Sequence, residues 1–253
     1  VGSEMCIRDS DYVDDDKIDL TAMQKDLSSY KGKTSTSSPS PHEWENAFGD
    51  AEVVFCITIT STLSGTYNSA VIAKDIYEQN HAGRKVYVLD SLSTGPEIAL
   101  FIEKIAELIK VGFAPDDIYK TLLEYKDKTH LYFSLASLNN FAKNGRISPV
   151  IAAGIGLLGV RVVGKASEEG TLLPLDKCRG EKRALKKLID HLKECGYTDG
   201  KIFIAHNNNE AGALELKKLI ENTFGIFNGK IQKTRALCSY YAEPGSLLIG
   251  FEA

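Results

Sequence analysis

Between Val53 and Ile59 the chain reads VVFCITI, an apolar run rich in β-branched residues and broken only at Thr58. A short run of this kind predicts a buried strand. KVYVLDS (85–91), LYFSL (131–135) and KIFIAHN (201–207) repeat the pattern. Between these runs the apolar spacing changes to every third or fourth residue. In 97–112, Ile98, Phe101, Ile102, Ile105 and Leu108 fall on one helical face, and Gly112 stops the helix. Pro115 starts another, to about Asp127. Helices are also predicted over 41–48, 67–79, 180–196 and 209–224. The first of these carries its own start signal: Ser40 and Glu43 fit a capping box, with Pro41 at the first helical position.

The second half has a different texture. SPVIAAGIGLLG (148–159) reads as a small-residue helix able to pack closely. VRVVGKA (160–166) and LLPLDKC (172–178) flank the turn residues EEGT and predict a hairpin. KIQKTRAL (230–237) and SLLIGFE (246–252) are predicted as paired closing strands. Residues 1–33 are polar, with a dense acidic stretch from Asp11 to Asp19, a short helix over 21–30 and no strand signal. The alternation predicts an α/β fold of two α/β domains. The first, 11–145, is expected to hold a mainly parallel sheet flanked by helices. The second, 146–253, is expected to hold a mixed sheet.

Composition narrows the class. Of 253 residues, 43% are apolar and 25% charged, which is ordinary globular usage and excludes a wholly disordered or collagenous chain. A net charge of −4 gives no global basic excess to argue for nucleic acid. The charge is uneven, however: ten Lys/Arg stand against four Asp/Glu between Lys143 and Lys187. Arg179, Lys182 and Arg183 in that stretch read either as solvated faces or as a surface for an acidic partner. The five cysteines are widely spaced, with no CxxC pair, and fit free thiols in a reducing cytoplasm. The most apolar run, Val150 to Val160, is too short to cross roughly 30 Å of hydrocarbon. The first residues hold Glu4, Arg8 and Asp9 and no apolar stretch of the secretory type.

Two hydroxyl-rich turns carry the chemistry. TSTSSPS (34–40) and TITSTLSGT (58–66) each lead into a helix. A helix N-terminus offers unpaired N–H groups and partial positive charge, and Ser or Thr adds donors, so the pair suits a phosphate or carboxylate. The same residues also serve simply as helix caps. Neither turn is a Walker A loop or a GxGxxG fingerprint. Ser64 in TLSGT is not in a GxSxG elbow, and of the histidines only His206 sits just beyond a strand, so a serine hydrolase is the weaker reading. No two histidines share a metal-binding spacing. Arg146, after Gly145, stands where a guanidinium can fork onto a carboxylate or phosphate, or form an ordinary salt bridge.

TSSPSP (36–41), LSGTYNSA (63–70), VLDSLSTG (88–95), NGRIS (144–148) and KCRGEKRAL (177–185) occur in this order. Together they resemble the DegV family of bacterial fatty-acid-binding proteins, and the resemblance runs from about Asp11 to Glu252. It implies two α/β domains enclosing a long-chain fatty acid, no other cofactor, and no catalysis by the chain itself. It also implies a fatty acid kinase partner that phosphorylates the bound carboxylate, with passing contact to a membrane surface. The head group is expected at Thr36 with Ser37, and at Ser64 with Gly65. Arg146 maps to the arginine linked to the kinase step, and Ser91 is a further neighbour.

The pattern departs from the family in three places. YYAEPGS puts Tyr241 where many members have a histidine. GVRVVG (159–164) keeps a charge at Arg161 but lacks the usual Lys-Pro pair. Residues 1–10 match nothing in the family and read as a non-native leader, with the first family strand missing. A serine-dependent acyl hydrolase and a module for another small anion are the alternative functions. The helices at 97–110 and 149–158 are the expected walls for an acyl tail.

Overall fold

The computed structural model describes residues 2–8, 10–15, 17–148 and 159–253. Three sheets organise them. A small antiparallel sheet, order β2-β1-β3, joins β1 (Glu4–Ile7), β2 (Ser10–Val13) and β3 (Ser35–Ser37). A parallel pair joins β4 (Val53–Thr58) to β5 (Lys85–Asp90). A mixed six-stranded sheet has the order β10-β9-β11-β6-β7-β8. Its strands are β6 (Thr129–Leu135), β7 (Val160–Ala166), β8 (Leu172–Arg179), β9 (Ile202–His206), β10 (Gly229–Lys233) and β11 (Leu247–Glu252). The fold is α/β with a parallel unit and a mixed sheet, as the alternation of elements predicts. No helix among the described residues is long and apolar enough to cross a membrane.

The helices are α1 (Leu20–Ser29), α2 (Pro41–Phe48), α3 (Thr66–Asn80), α4 (Gly95–Lys110), α5 (Pro115–Lys126), α6 (Asn139–Lys143), α7 (Glu181–Glu194), α8 (Glu210–Phe224) and α9 (Ala236–Ala242). The capping box forms: Ser40 Oγ accepts from Glu43 N at 3.3 Å, and Ser40 N donates to Glu43 Oε2 at 2.7 Å. The small-residue helix expected over 148–159 falls on 149–158, outside the described residues.

Strand alternation divides the large sheet into two working faces. Tyr132, Val163, Ile204, Leu247, Ile249 and Phe251 face α7 and α8. Leu131, Phe133, Leu135, Val162 and Leu248 face the other way. Near β9 this second face meets α4 and α5, through Phe203 with Leu100, Phe101 and Leu122. Gly250 makes the close approach of α4 to β11 possible, because a Cβ there would lie 2.4 Å from Glu97 N.

Three expectations are corrected. Residues 1–33 do contain strands: Met5 and Ile7, alternating along β1, are fully buried against Met23, Ala236 and Tyr240. A four-residue strand with two buried side chains is too short for a periodic signal in so polar a stretch. The strand expected over 230–237 ends at Lys233, and α9 follows. There the Asp14 carboxylate accepts from Ala236 N at 3.2 Å and Leu237 N at 3.0 Å, capping the helix from a distant loop. The closing strands do not pair with each other. β11 is buried on both faces and inserts between β9 and β6, while polar β10 takes the edge beside β9, parallel to it. The large sheet also draws on both sides of Gly145, since β6 is one of its inner strands.

Glu97, in the first turn of α4, is 4% exposed and accepts from Thr129 Oγ1 at 2.8 Å. Burial pushes its carboxyl above the usual range, and the Ser93 and Thr129 hydroxyls and Lys126 pull it only partly back. The folded state therefore holds this proton more tightly than the unfolded chain. From about 4.3, the ordinary glutamate value, up to the raised one, stability falls as pH rises. Glu97→Gln is expected to remove that slope and raise Tm at neutral pH in a thermal melt. A lower Tm in the variant would show that the charged carboxylate stabilises the fold.

Candidate functional site: an apolar cavity with a hydroxyl-rich end

The face of the six-stranded sheet that α7 and α8 leave uncovered opens onto a cavity of about 360 Å³. Leu131, Phe133 and Leu135 of β6 form one wall, because alternate residues of a strand share a face. Leu248, Leu172 and Phe141 extend it. The helix expected as a wall, α4, is not one. Its apolar face is spent on Leu89, Phe203 and α5, and the cavity is reached instead by Leu92, Ser93 and Thr94, ahead of its first turn.

Hydroxyls gather where the two predicted turns and α9 meet. Thr36, at the centre of β3, shares a 2.7 Å hydrogen bond with the Tyr241 hydroxyl of α9. Ser64, in the loop between β4 and α3, shares one of 2.8 Å with Thr66 Oγ1 and accepts from Thr66 N at 3.3 Å. Gly65, the N-cap of α3, supplies no side chain and lies against Ser38. The α3 N-terminus is thus left facing the same loop as Ser64. Ser37 lies on the exposed rim and donates to Glu4 Oε2 at 3.4 Å.

Arg146 closes this end. Gly145, at φ +68°, ends α6 and turns the chain. The Arg146 guanidinium then donates from Nε to Leu63 O at 2.9 Å and from Nη1 to Asn144 O at 2.7 Å. It is exposed, and it is the one charged side chain among the described lining residues. Burial pushes the Tyr241 phenol up, and Thr36 and the Arg146 charge only partly offset that. The phenol is therefore neutral at physiological pH and keeps an O–H able to donate. Its ring packs 4.8 Å from that of Phe141.

The structure thus brings together Thr36, Ser37, Ser64, Gly65, Arg146 and Tyr241 around one cavity. It leaves out Ser91, which is buried and accepts from Ser93 N at 3.1 Å. Ser93 and Thr94 line the cavity in its place. Sequence reading also missed Cys238 and Ala242, because the chain after the expected strand turns into a helix that Asp14 caps from a distant loop. Burial pushes the Cys238 thiol up to about 11, so it is an inert apolar liner. Gly170 and Thr171 were missed as well, and Thr60 was not singled out within the 58–66 turn. Thr60 Oγ1 donates to Gly170 O at 2.9 Å across the tip of the β7–β8 hairpin, and a Cβ on Gly170 would strike that hydroxyl at 2.1 Å. No local signal announces a contact between residues so far apart in the chain.

No histidine is among the described lining residues. His206 is buried, with its Nδ1 accepting from Asn209 N at 3.3 Å, so Ser64 has no imidazole base there. Among the described residues no group of three His, Cys, Asp or Glu side chains is placed to hold a metal ion. Arg179, Lys182 and Arg183 are all exposed, at the end of β8 and the start of α7.

Comparison with known proteins supplies the family context. The family model described as an uncharacterised protein of the DegV family matches residues 2–253. A DegV domain-containing protein of Streptococcus pneumoniae is 42% identical over 246 residues, covering 97% of this chain and 88% of its own length. A DegV family protein from Eubacterium eligens, solved loaded with heptadecanoic acid, superposes with a TM-score of 0.98 at 39% identity, covering 100% of this chain and 92% of its own. The Streptococcus pneumoniae Fatty Acid Kinase (Fak) B3 protein, solved loaded with linoleic acid, gives 0.97 at 41% identity, with 100% and 90% covered. Sequence match and superposition extend over the cavity and its hydroxyl end alike, and on that ground the chain belongs to the DegV family.

Proposed function

We propose that this protein binds a long-chain fatty acid and presents its carboxylate to a fatty acid kinase, without itself performing chemistry. The observation that carries the reading is the cavity: an apolar chamber ending in neutral hydroxyl donors and, among the described lining residues, a single cation. A carboxylate taken from water must be hydrogen-bonded, and Thr36, Ser64 and Tyr241 offer donors for it. The tail gains roughly 0.8 kcal/mol for each methylene buried against the apolar walls. Arg146, exposed beside the head group, is suited to meet the phosphate donor of a partner. The exposed cations Arg179, Lys182 and Arg183 suit an acidic partner face or a passing contact with an anionic membrane. Relatives solved with heptadecanoic and linoleic acids support the ligand class, and the Fatty Acid Kinase B3 protein supports the partner.

The test is mass spectrometry of an organic extract of the purified protein, against a denatured control. A near-stoichiometric fatty acid is expected. A short polar anion in its place would select the small-anion reading. The kinase step is tested by adding a fatty acid kinase and ATP to the loaded protein: acyl phosphate should form, and Arg146→Ala should slow it without emptying the cavity.

A further inference from the structure

Behind the head-group residues lies a second layer of polar groups that does not line the cavity. Tyr240 is fully buried, and its hydroxyl meets two partners: Thr34 Oγ1 at 2.5 Å and Asn144 Nδ2 at 2.9 Å. Thr34 is 4% exposed. Each member sits one or two residues from a head-group residue: Thr34 before Thr36, Tyr240 before Tyr241, Asn144 before Arg146. The two Thr–Tyr bonds form consecutive rungs between the strand and α9, with the tyrosine rings edge to face at 5.0 Å. Asn144 uses both amide hydrogens, on Tyr240 Oη and on Asn140 O, and its own carbonyl receives Arg146 Nη1. Asn140 Nδ2 in turn donates to Tyr240 O at 2.7 Å.

We infer that Thr34, Tyr240 and Asn144 form a positioning triad that fixes the head-group donors Thr36 and Tyr241, and Arg146 beside them, relative to one another. The physical reason is burial. A polar group withdrawn from water is costly to leave unpaired, so the three segments can adopt only the arrangement that satisfies the Tyr240 hydroxyl. A strand, a helix and a turn that share no backbone ladder are thereby held in register at the point where a carboxylate would sit. Glu243 ties the same two helices from the other end, its Oε1 accepting from Ser137 Oγ at 2.9 Å and Asn140 N at 3.1 Å. The inference rests on the reading of this end as the carboxylate site.

The experiment compares palmitic acid with hexadecanol, which share a tail and differ in the head group. Wild-type protein is expected to prefer the acid. Tyr240→Phe keeps the ring and removes one oxygen. It should cut the acid-over-alcohol preference by ~10-fold while leaving hexadecanol affinity nearly unchanged. Asn144→Ala should act in the same direction, and serves if Tyr240→Phe does not fold. Equal losses for both ligands, or an unchanged preference, would overturn the triad while leaving the carboxylate site standing. A wild-type protein indifferent to the head group would overturn the carboxylate site, and the triad with it.

Discussion

Leu131→Trp is expected to leave a folded protein that carries almost no lipid. Leu131 is 5% exposed and belongs to the β6 wall of the cavity. An indole in its place projects into the same space that an acyl tail would fill. Each methylene kept out of the apolar chamber forfeits roughly 0.8 kcal/mol. Excluding five or six of them costs about 4–5 kcal/mol, or about three orders of magnitude in Kd. The fold should tolerate the change, because the added volume enters a void and not a packed core. Overpacking elsewhere typically costs about 1–3 kcal/mol. The measurement is fatty acid content by extraction, together with Kd from displacement of a fluorescent fatty acid. Wild-type loading in the variant would show that the tail runs along another path.

The double variant Thr36→Val, Ser64→Ala should lose affinity for fatty acids by a similar amount for a different reason. Valine matches threonine in shape, so the change is chiefly the loss of two hydroxyls. A hydrogen bond to a charged group is worth about 1.5–3 kcal/mol, giving about 3–6 kcal/mol for the pair. That is roughly two to four orders of magnitude in Kd. Thr36 and Ser64 bond to different partners, Tyr241 and Thr66, so the losses of the single variants are expected to add roughly. An ester or alcohol of equal chain length should be affected far less. Unchanged affinity for the acid in the double variant would remove both residues from the head-group site.

Most of the α/β framework was legible because each element carried a local period. Val53–Thr58, Lys85–Asp90 and α4 are readable from runs and helical spacing alone. So is the start of α2, since its capping box is complete within four residues. The candidate site was legible to the extent that its residues sit in short motifs: Thr36 and Ser64 in hydroxyl-rich turns, and Arg146 after a turn glycine. Ser91 shows the limit. Ser91 directly follows β5 and Ser93 stands two residues further on, but only Ser93 lines the cavity, the Ser91 hydroxyl being occupied by the backbone N–H of Ser93.

What the sequence determined on its own is therefore local: where strands and helices form, and which turns present hydroxyls at helix N-termini. These follow from side-chain periodicity and capping, which act within a few residues. The tertiary structure alone decided the rest. It capped the helix over 236–242 with a carboxylate more than two hundred residues away. It placed β11 at the centre of the sheet, between β9 and β6, with both of its apolar faces buried. It also set Tyr241 against Thr36, and the β7–β8 hairpin tip against Thr60. Those contacts join segments with no shared period, and their energies come from burial and from satisfying buried polar groups, which a chain acquires only once it is packed.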